Sequence, residues 1–222
     1  MERVIVIGLG GIGGFVAEPL CRYLNYEPGV REVAFIDGDL YEERNANRQN
    51  AVAGMNKADT WALRLSKQFP LLKIKSVAEF VTPENIASFV LDNSFVLACV
   101  DNHATRLLVQ ERCEKLKNVV LISGGNDYFD GNVQVFTKQN GRACSPSITK
   151  HHPEIMNPSD KRPDEVGCDE EVVEKPQLLF ANLMAASLML NAFYNASRKK
   201  ASCSEVYFDL RQNIAKAVKR AA

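Results

Sequence analysis

Between residues 36 and 50 the sequence reads IDGDLYEERNANRQN, which places Asp37, Asp39, Asn45, Asn47, Arg48 and Gln49 in one short stretch. A single acidic residue at the end of a second strand has an ordinary use, holding the ribose hydroxyls of a dinucleotide. That use leaves the other residues idle. Phosphoryl chemistry occupies them, because a triphosphate brings roughly four negative charges and a magnesium ion, calling for cationic clamps and a metal-side carboxylate. Arg48 suits a bidentate phosphate contact and Asn45 an amide one. Lys57, at the start of the next helix, adds a second cation, and Asp101, just past a strand, can hold magnesium. Upstream, GLGGIGG sets Gly8, Gly10, Gly11 and Gly13 between a strand and a helix. Such a turn lets the backbone approach phosphate closely and aims helix N–H groups at an anion. Alone, G-x-G-x-x-G fits NAD, FAD, S-adenosylmethionine or ATP, and each charge taken singly reads as solvated surface.

These residues need a scaffold. RVIVIG (3–8) is a β-branched apolar run ending in glycine, the mark of a buried parallel strand, and a helix follows through about Asn25 with Pro19 inside it. EVAFID (32–37), LKIKSVA (72–78), SFVLACV (94–100) and NVVLISG (118–124) read as further strands. Helices are expected over 55–69, from Thr82-Pro83-Glu84 with Thr82 as N-cap, and over 104–116. This alternation predicts an α/β, Rossmann-like doubly wound sheet, parallel in its N-terminal part, and its break after residue 124 predicts antiparallel strands added in the C-terminal part. YFDGNVQVFTK (128–138) reads as a hairpin or extended edge pair, 139–175 as a long polar loop, and 176–195 as an apolar helix opened by Pro176. EVYFDL (205–210) reads as an added strand and RQNIAKAVKR as a terminal polar helix, whose Lys216, Lys219 and Arg220 form a solvated face.

The chain has 222 residues, which suits one domain over 1–222, and 27 basic against 27 acidic side chains leave no global field to recruit nucleic acid or membrane. MERVIVIG leads into a strand rather than a secretory leader, and no run of eighteen apolar residues appears. Six cysteines without a CxxC pair read as reduced thiols and a cytoplasmic setting.

Taken together, GLGGIG, IDGDLYEERNANRQ, GMNKA and ACVDNHATR resemble the ThiF/MoeB/HesA adenylyltransferases and the adenylation domains of ubiquitin-activating enzymes. The resemblance covers roughly residues 3 to 137, with four motifs in order and spacing. It implies that the glycine turn, Asp37 and Asp39 belong to the nucleotide site, with Asp37 on the ATP ribose. It also implies that Asn45, Arg48 and Lys57 bind phosphates, and that Asp101 places Mg2+ with Asn102 beside it. Arg106, on the D-N-x-x-x-R position, is expected to be structural or substrate-positioning. The implied reaction is acyl adenylation, in which a carboxylate attacks the α-phosphate to give an acyl-AMP and pyrophosphate. The implied substrate is a ubiquitin-like or sulfur-carrier β-grasp protein ending in glycine, with a conjugating enzyme as a further partner and a homodimer as the assembly. The family's usual N-terminal helix has no room before Arg3, and the two CxxC pairs of zinc-bearing members are absent. No ubiquitin-fold or rhodanese-like segment is read in the chain, so the next component is expected on a separate protein.

Cys168, in DEVGCDEEVVEKPQ, falls where part of the family carries a thioester-forming cysteine on a crossover loop. Asp169, Glu170 and Glu171 oppose thiolate formation there. Cys144 is the other loop thiol, and with His151, His152 and Cys168 it matches no common zinc spacing. Cys21, Cys99, Cys113 and Cys203 read as core residues, and the Phe180, Leu183, Met184, Leu188 and Met189 stripe as packing. Three other readings stand beside adenylation of a protein. They are a nicotinamide-dependent oxidoreductase, a non-catalytic partner subunit, and adenylation of a small-molecule or RNA carboxylate.

Overall fold

The computed structural model describes residues 1–27, 29–43, 53–165, 177–200 and 204–220. Within them, five parallel strands form first: β1 (Arg3–Ile7), β2 (Glu32–Ile36), β3 (Lys73–Val77), β4 (Ser94–Ala98) and β5 (Val119–Asn126). Their order is β3-β2-β1-β4-β5, continued by antiparallel β6 (Asp130–Gln139), β8 (Glu205–Asp209) and β9 (Ile214–Val218), with β7 (Arg142–Ala143) paired to β6. The sheet is α/β, parallel in its N-terminal part and antiparallel in its C-terminal part, as the alternation of elements predicts.

β1 and β4 are buried at nearly every position because both faces of the sheet are covered. Val4, Val6, Phe35, Leu97 and Ile122 pack on one side with α1 (Gly11–Tyr26), α2 (Lys57–Gln68) and α6 (Leu179–Ser197). Ile5, Ile7, Val96 and Leu121 pack on the other with α3 (Ile86–Phe89), α4 (His103–Glu114) and α5 (Pro153–Met156). Strand order reverses between β1, whose chain moves next to β2, and β4, so a crevice opens at their carboxyl ends.

Four expectations change. YFDGNVQVFTK contributes an interior strand, since β6 is hydrogen-bonded to β5 on one side and to β8 on the other. RQNIAKAVKR is a turn and a strand rather than a helix. Asp209 accepts from the backbone N–H groups of Arg211 (2.8 Å) and Gln212 (3.2 Å), Asn213 takes a positive φ of 53°, and the chain returns as β9. Lys216 therefore stands on a strand, and Arg220 reaches the Glu205 carboxylate at 3.0 Å instead of forming a solvated helix face. Third, α3 begins at Ile86 rather than at Pro83, after a turn in which the Thr82 hydroxyl oxygen accepts from Glu84 and Asn85 N–H. Fourth, the described part of the long polar segment carries β7, α5 and a 3₁₀ turn (Pro163–Glu165). Its Ile148 and Ile155 are buried on the α4 side of the sheet.

On α6, Met189 is fully buried, whereas Phe180 is 63% and Leu183 48% exposed, so the stripe packs only in part. Cys21, Cys99 and Cys113 are buried and Cys144 is exposed, while Cys168, Cys203 and Pro176 lie outside the described residues. Burial pushes the Cys21, Cys99 and Cys113 thiols up to about 12, which makes them inert core groups. No described helix is long and apolar enough to cross a membrane. Among the described residues no group of three or more His, Cys, Asp or Glu side chains could hold a metal.

Candidate active site at the carboxyl edge of the sheet

The glycine turn follows β1. Gly8 has φ +87°, open to glycine at little cost, and a β-carbon on Gly13 would be driven into the Gly8 carbonyl oxygen. That contact is what lets α1 start so close behind the strand. Gly10 is the N-cap of α1 and supplies no side-chain acceptor, so the helix opens with its first N–H groups uncapped by any side chain. On the face of Gly11 away from solvent lies Asn182 of α6, fully buried, with neither amide atom hydrogen-bonded.

Asp37 follows β2 and is buried, yet well satisfied. One carboxylate oxygen accepts from Leu9 N–H at 2.5 Å and the other from Asp39 N–H at 2.8 Å. The first of these bonds fastens the β2 end to the glycine turn. Burial pushes the Asp37 carboxyl up to about 6, and Asp39 adds to the push, while the Lys57 ammonium and the two N–H donors pull it down. Asn56 ties the same segment to α2. Its amide donates to the carbonyls of Asp37 (2.9 Å) and Asp39 (3.1 Å), and its oxygen accepts from Asp59 N–H as the helix N-cap. Lys57 is buried and its ammonium sits 2.8 Å from the half-exposed Asp39 carboxylate. Asp39 thus holds the cation that was expected to meet phosphate.

After β4 come Asp101, which is exposed, and Asn102, whose oxygen accepts from Thr105 N–H at 2.8 Å as N-cap of α4. The Asn102 amide lies 3.5 Å from the Asp101 carboxylate, a marginal contact that leaves Asp101 open to a hard cation. Asn102 is therefore first a helix cap. Arg106 is buried, and its guanidinium donates to the carbonyls of Val100 (2.6 Å) and Gly124 (3.0 Å). It is a structural brace between the ends of β4 and β5.

Gly8, Gly11, Asp37, Lys57, Asp101 and Asn102 line one cleft of about 1290 Å³. That exceeds the roughly 300–1,000 Å³ of ordinary small-molecule sites. The same cleft is also walled by Gly125, Asn126 and Asn132 beside Tyr207 and Lys216 of the C-terminal hairpin. Asn45, Asn47, Arg48 and Gln49 lie outside the described residues, as does Cys168.

Sequence reasoning passed over three contributors. Asn56 had a signal, an Asn directly before a helical pattern. Phe80, after β3, lies against Gly38 and lines the cleft, but one aromatic in a polar stretch carries no pattern. Asp160 also lines the cleft, and its carboxylate accepts from His103 N–H (2.7 Å) and Ala104 N–H (2.9 Å) at the start of α4, a pairing no local pattern encodes.

Fold and site together define a doubly wound α/β protein with an anion-ready helix terminus and two carboxylates at the strand-order switch. The chain matches the ThiF family over residues 1–219 and belongs to it. It is 30% identical over 147 residues to the molybdopterin-synthase adenylyltransferase of Escherichia coli K12, covering 64% of this chain and 57% of that protein. To the tRNA threonylcarbamoyladenosine dehydratase of the same strain it is 30% identical over 128 residues, covering 55% of this chain and 46% of that one. The fold is shared with the crystal structure of E. coli MccB with ATP, at a TM-score of 0.70 and 17% identity, covering 99% of this chain and 64% of that chain. The chain thus spans about half the length of these curated relatives.

Proposed function

We propose that this chain is an ATP-dependent adenylyltransferase that activates the C-terminal carboxylate of a ubiquitin-like or sulfur-carrier protein as an acyl-AMP. The observation that carries the reading is the joint placement of the uncapped α1 terminus, Asp37 and Asp101 in one cleft. Its support is kinship with proteins named as adenylyltransferases. The roles are assigned as follows, with the described geometry supporting those of the glycine turn, Asp37, Lys57 and Asp101 and the family resemblance alone supporting those of Asn45 and Arg48. The glycine turn and the first N–H groups of α1 receive phosphate oxygens, and the Asp37 carboxylate accepts from the ribose hydroxyls. Lys57, released in part from Asp39, screens the developing charge, and Asn45 and Arg48 clamp phosphates. Asp101 would hold magnesium, which would supply charge neutralisation at the phosphates. The attacking carboxylate needs no base, so catalysis rests on positioning and charge stabilisation. The part of the cleft beside Asn132, Tyr207 and Lys216 is assigned to the incoming C-terminal tail.

Three extensions accompany this reading. Residues 1–222 act as one adenylation domain, Cys168 captures the acyl group as a thioester before a conjugating enzyme or sulfur pathway takes it, and the chain is a homodimer. The exposed Phe180 and Leu183 on α6 support the last. A second reading, adenylation of a group on RNA or a small molecule, is favoured by the kinship with a tRNA-modifying dehydratase.

The test is ATP–pyrophosphate exchange with purified protein and candidate small proteins ending in glycine, with and without magnesium. Exchange is expected with one such partner, and Arg48→Ala and Asp101→Ala should each abolish it with circular dichroism unchanged. Normal exchange in either variant removes the role assigned to that residue. A reductant-sensitive adduct that survives Cys168→Ala ends the thioester assignment, and light scattering that gives a monomer ends the dimer. Exchange driven by an RNA or small carboxylate instead moves the conclusion to the second reading.

A further inference from the structure

Residues 147–165 form a strap across the carboxyl edge of the sheet, and it is anchored twice. At one anchor the buried His152 bridges the Glu154 carboxylate (2.8 Å) and the Glu205 carboxylate of β8 (2.6 Å). At the other, Asp160 meets the first turn of α4 with both oxygens. The result is a fully occupied helix terminus. His103, Ala104 and Thr105 N–H donate to Asp160 Oδ2, Asp160 Oδ1 and Asn102 Oδ1 in turn. A helix start normally leaves such groups to water or ligands, and a carboxylate there is favoured further by the macrodipole.

Asp101 sits one residue before the N-cap of this terminus, makes a marginal 3.5 Å contact with Asn102 and feels the charge of the Arg106 guanidinium. The backbone that carries it runs directly into the turn that Asp160 fixes. We propose that Asp160 is a positioning residue for the metal-side carboxylate: by saturating the His103 and Ala104 N–H groups it keeps Asp101 turned into the cleft. With those two donors free, Asp101, two residues before His103, can close an Asx turn onto the His103 N–H. Aspartate beside a helix start readily folds back onto backbone N–H groups. Asp101 would then cap α4 and withdraw from magnesium. The strap thereby couples a segment of low sequence pattern to the metal side of the nucleotide site.

This inference rests on the proposed ATP and magnesium site, and one titration set separates the two. ATP binding is measured calorimetrically for wild type, Asp160→Ala, Asp160→Asn and Asp101→Ala, once in EDTA and once across a magnesium chloride series. Wild type should bind ATP more tightly with magnesium, and Asp101→Ala should lose that gain. Asp160→Ala should need about tenfold more magnesium for the same gain, the scale on which partners behind a metal ligand act. Its affinity should change less in EDTA than in magnesium. Asp160→Asn, which keeps the oxygen facing Ala104 N–H, should fall between. An unchanged magnesium midpoint in Asp160→Ala overturns the inference. So does an equal loss of affinity with and without the metal, because that is what damage to the cleft as a whole would produce. Wild type that binds no ATP overturns the proposed function, and the inference falls with it.

Discussion

Two helix N-termini face the same cleft, and they are built in opposite ways. α1 begins at glycines, with no side-chain cap and with Gly8 and Gly13 pressed together so that the backbone itself is the surface. α4 begins with Asn102 and Asp160 consuming its first three N–H groups from within the chain. The first terminus is open to an anion from outside, and the second is filled by side chains of the chain itself. The identical dipole serves both uses.

The contrast is broken most severely at Gly13. Gly13→Ala forces a methyl group into the Gly8 carbonyl, which should cost more than about 3 kcal/mol and abolish ATP binding. Gly14→Ala, one residue on, meets nothing nearer than Trp61 at 3.6 Å and lies inside the helix, so it should leave thermal stability unchanged or raised. Matched melting curves that show equal losses for the two would mean the close turn is not what α1 depends on.

A smaller effect sits where Asp37 fastens the turn. With its folded carboxyl raised from 3.8 to about 6, the folded state binds more protons than the unfolded state between those values. This group therefore lowers stability as pH rises from about 4 to about 6, by at most about 3 kcal/mol, and adds no slope above that. Asp37→Asn should remove that part of the pH dependence in urea melts from pH 4 to 7, and an identical profile would refute the buried-carboxylate account. The smallest change is at α4. Asn102→Ala deletes one of three terminal bonds while Asp160 keeps two, so a loss of about 1 kcal/mol in chemical denaturation is expected. A loss of several kcal/mol would mean that Asp160 does not hold the terminus independently.

The α1 side of this comparison was legible in the sequence, and the α4 side only in part. RVIVIG and SFVLACV announce buried strands because β-branched runs bounded by glycine or aspartate have few other uses. The ends of those strands then locate Gly8, Asp37 and Asp101 on one edge. IAKAV was illegible as a strand, since alanine and lysine favour helix and the alternation has little contrast. The turn at Asn213 and pairing to β8 decide the matter. Asp160 and the His152–Glu205 pair were hidden for another reason. Their partners lie 57 and 53 residues away, and no local period records a contact of that range.

The position of β6 has a kinetic consequence. One edge of β6 pairs with β5, its neighbour in sequence, whereas the other must wait for β8, whose Glu205 pairs with Gln134 across 70 intervening residues. Closing so long a loop is slow relative to local pairing. The strap cannot seat His152 until Glu205 arrives. Until then β6 is an edge strand with one row of N–H and C=O groups unpaired, the stage at which mispairing between chains is easiest.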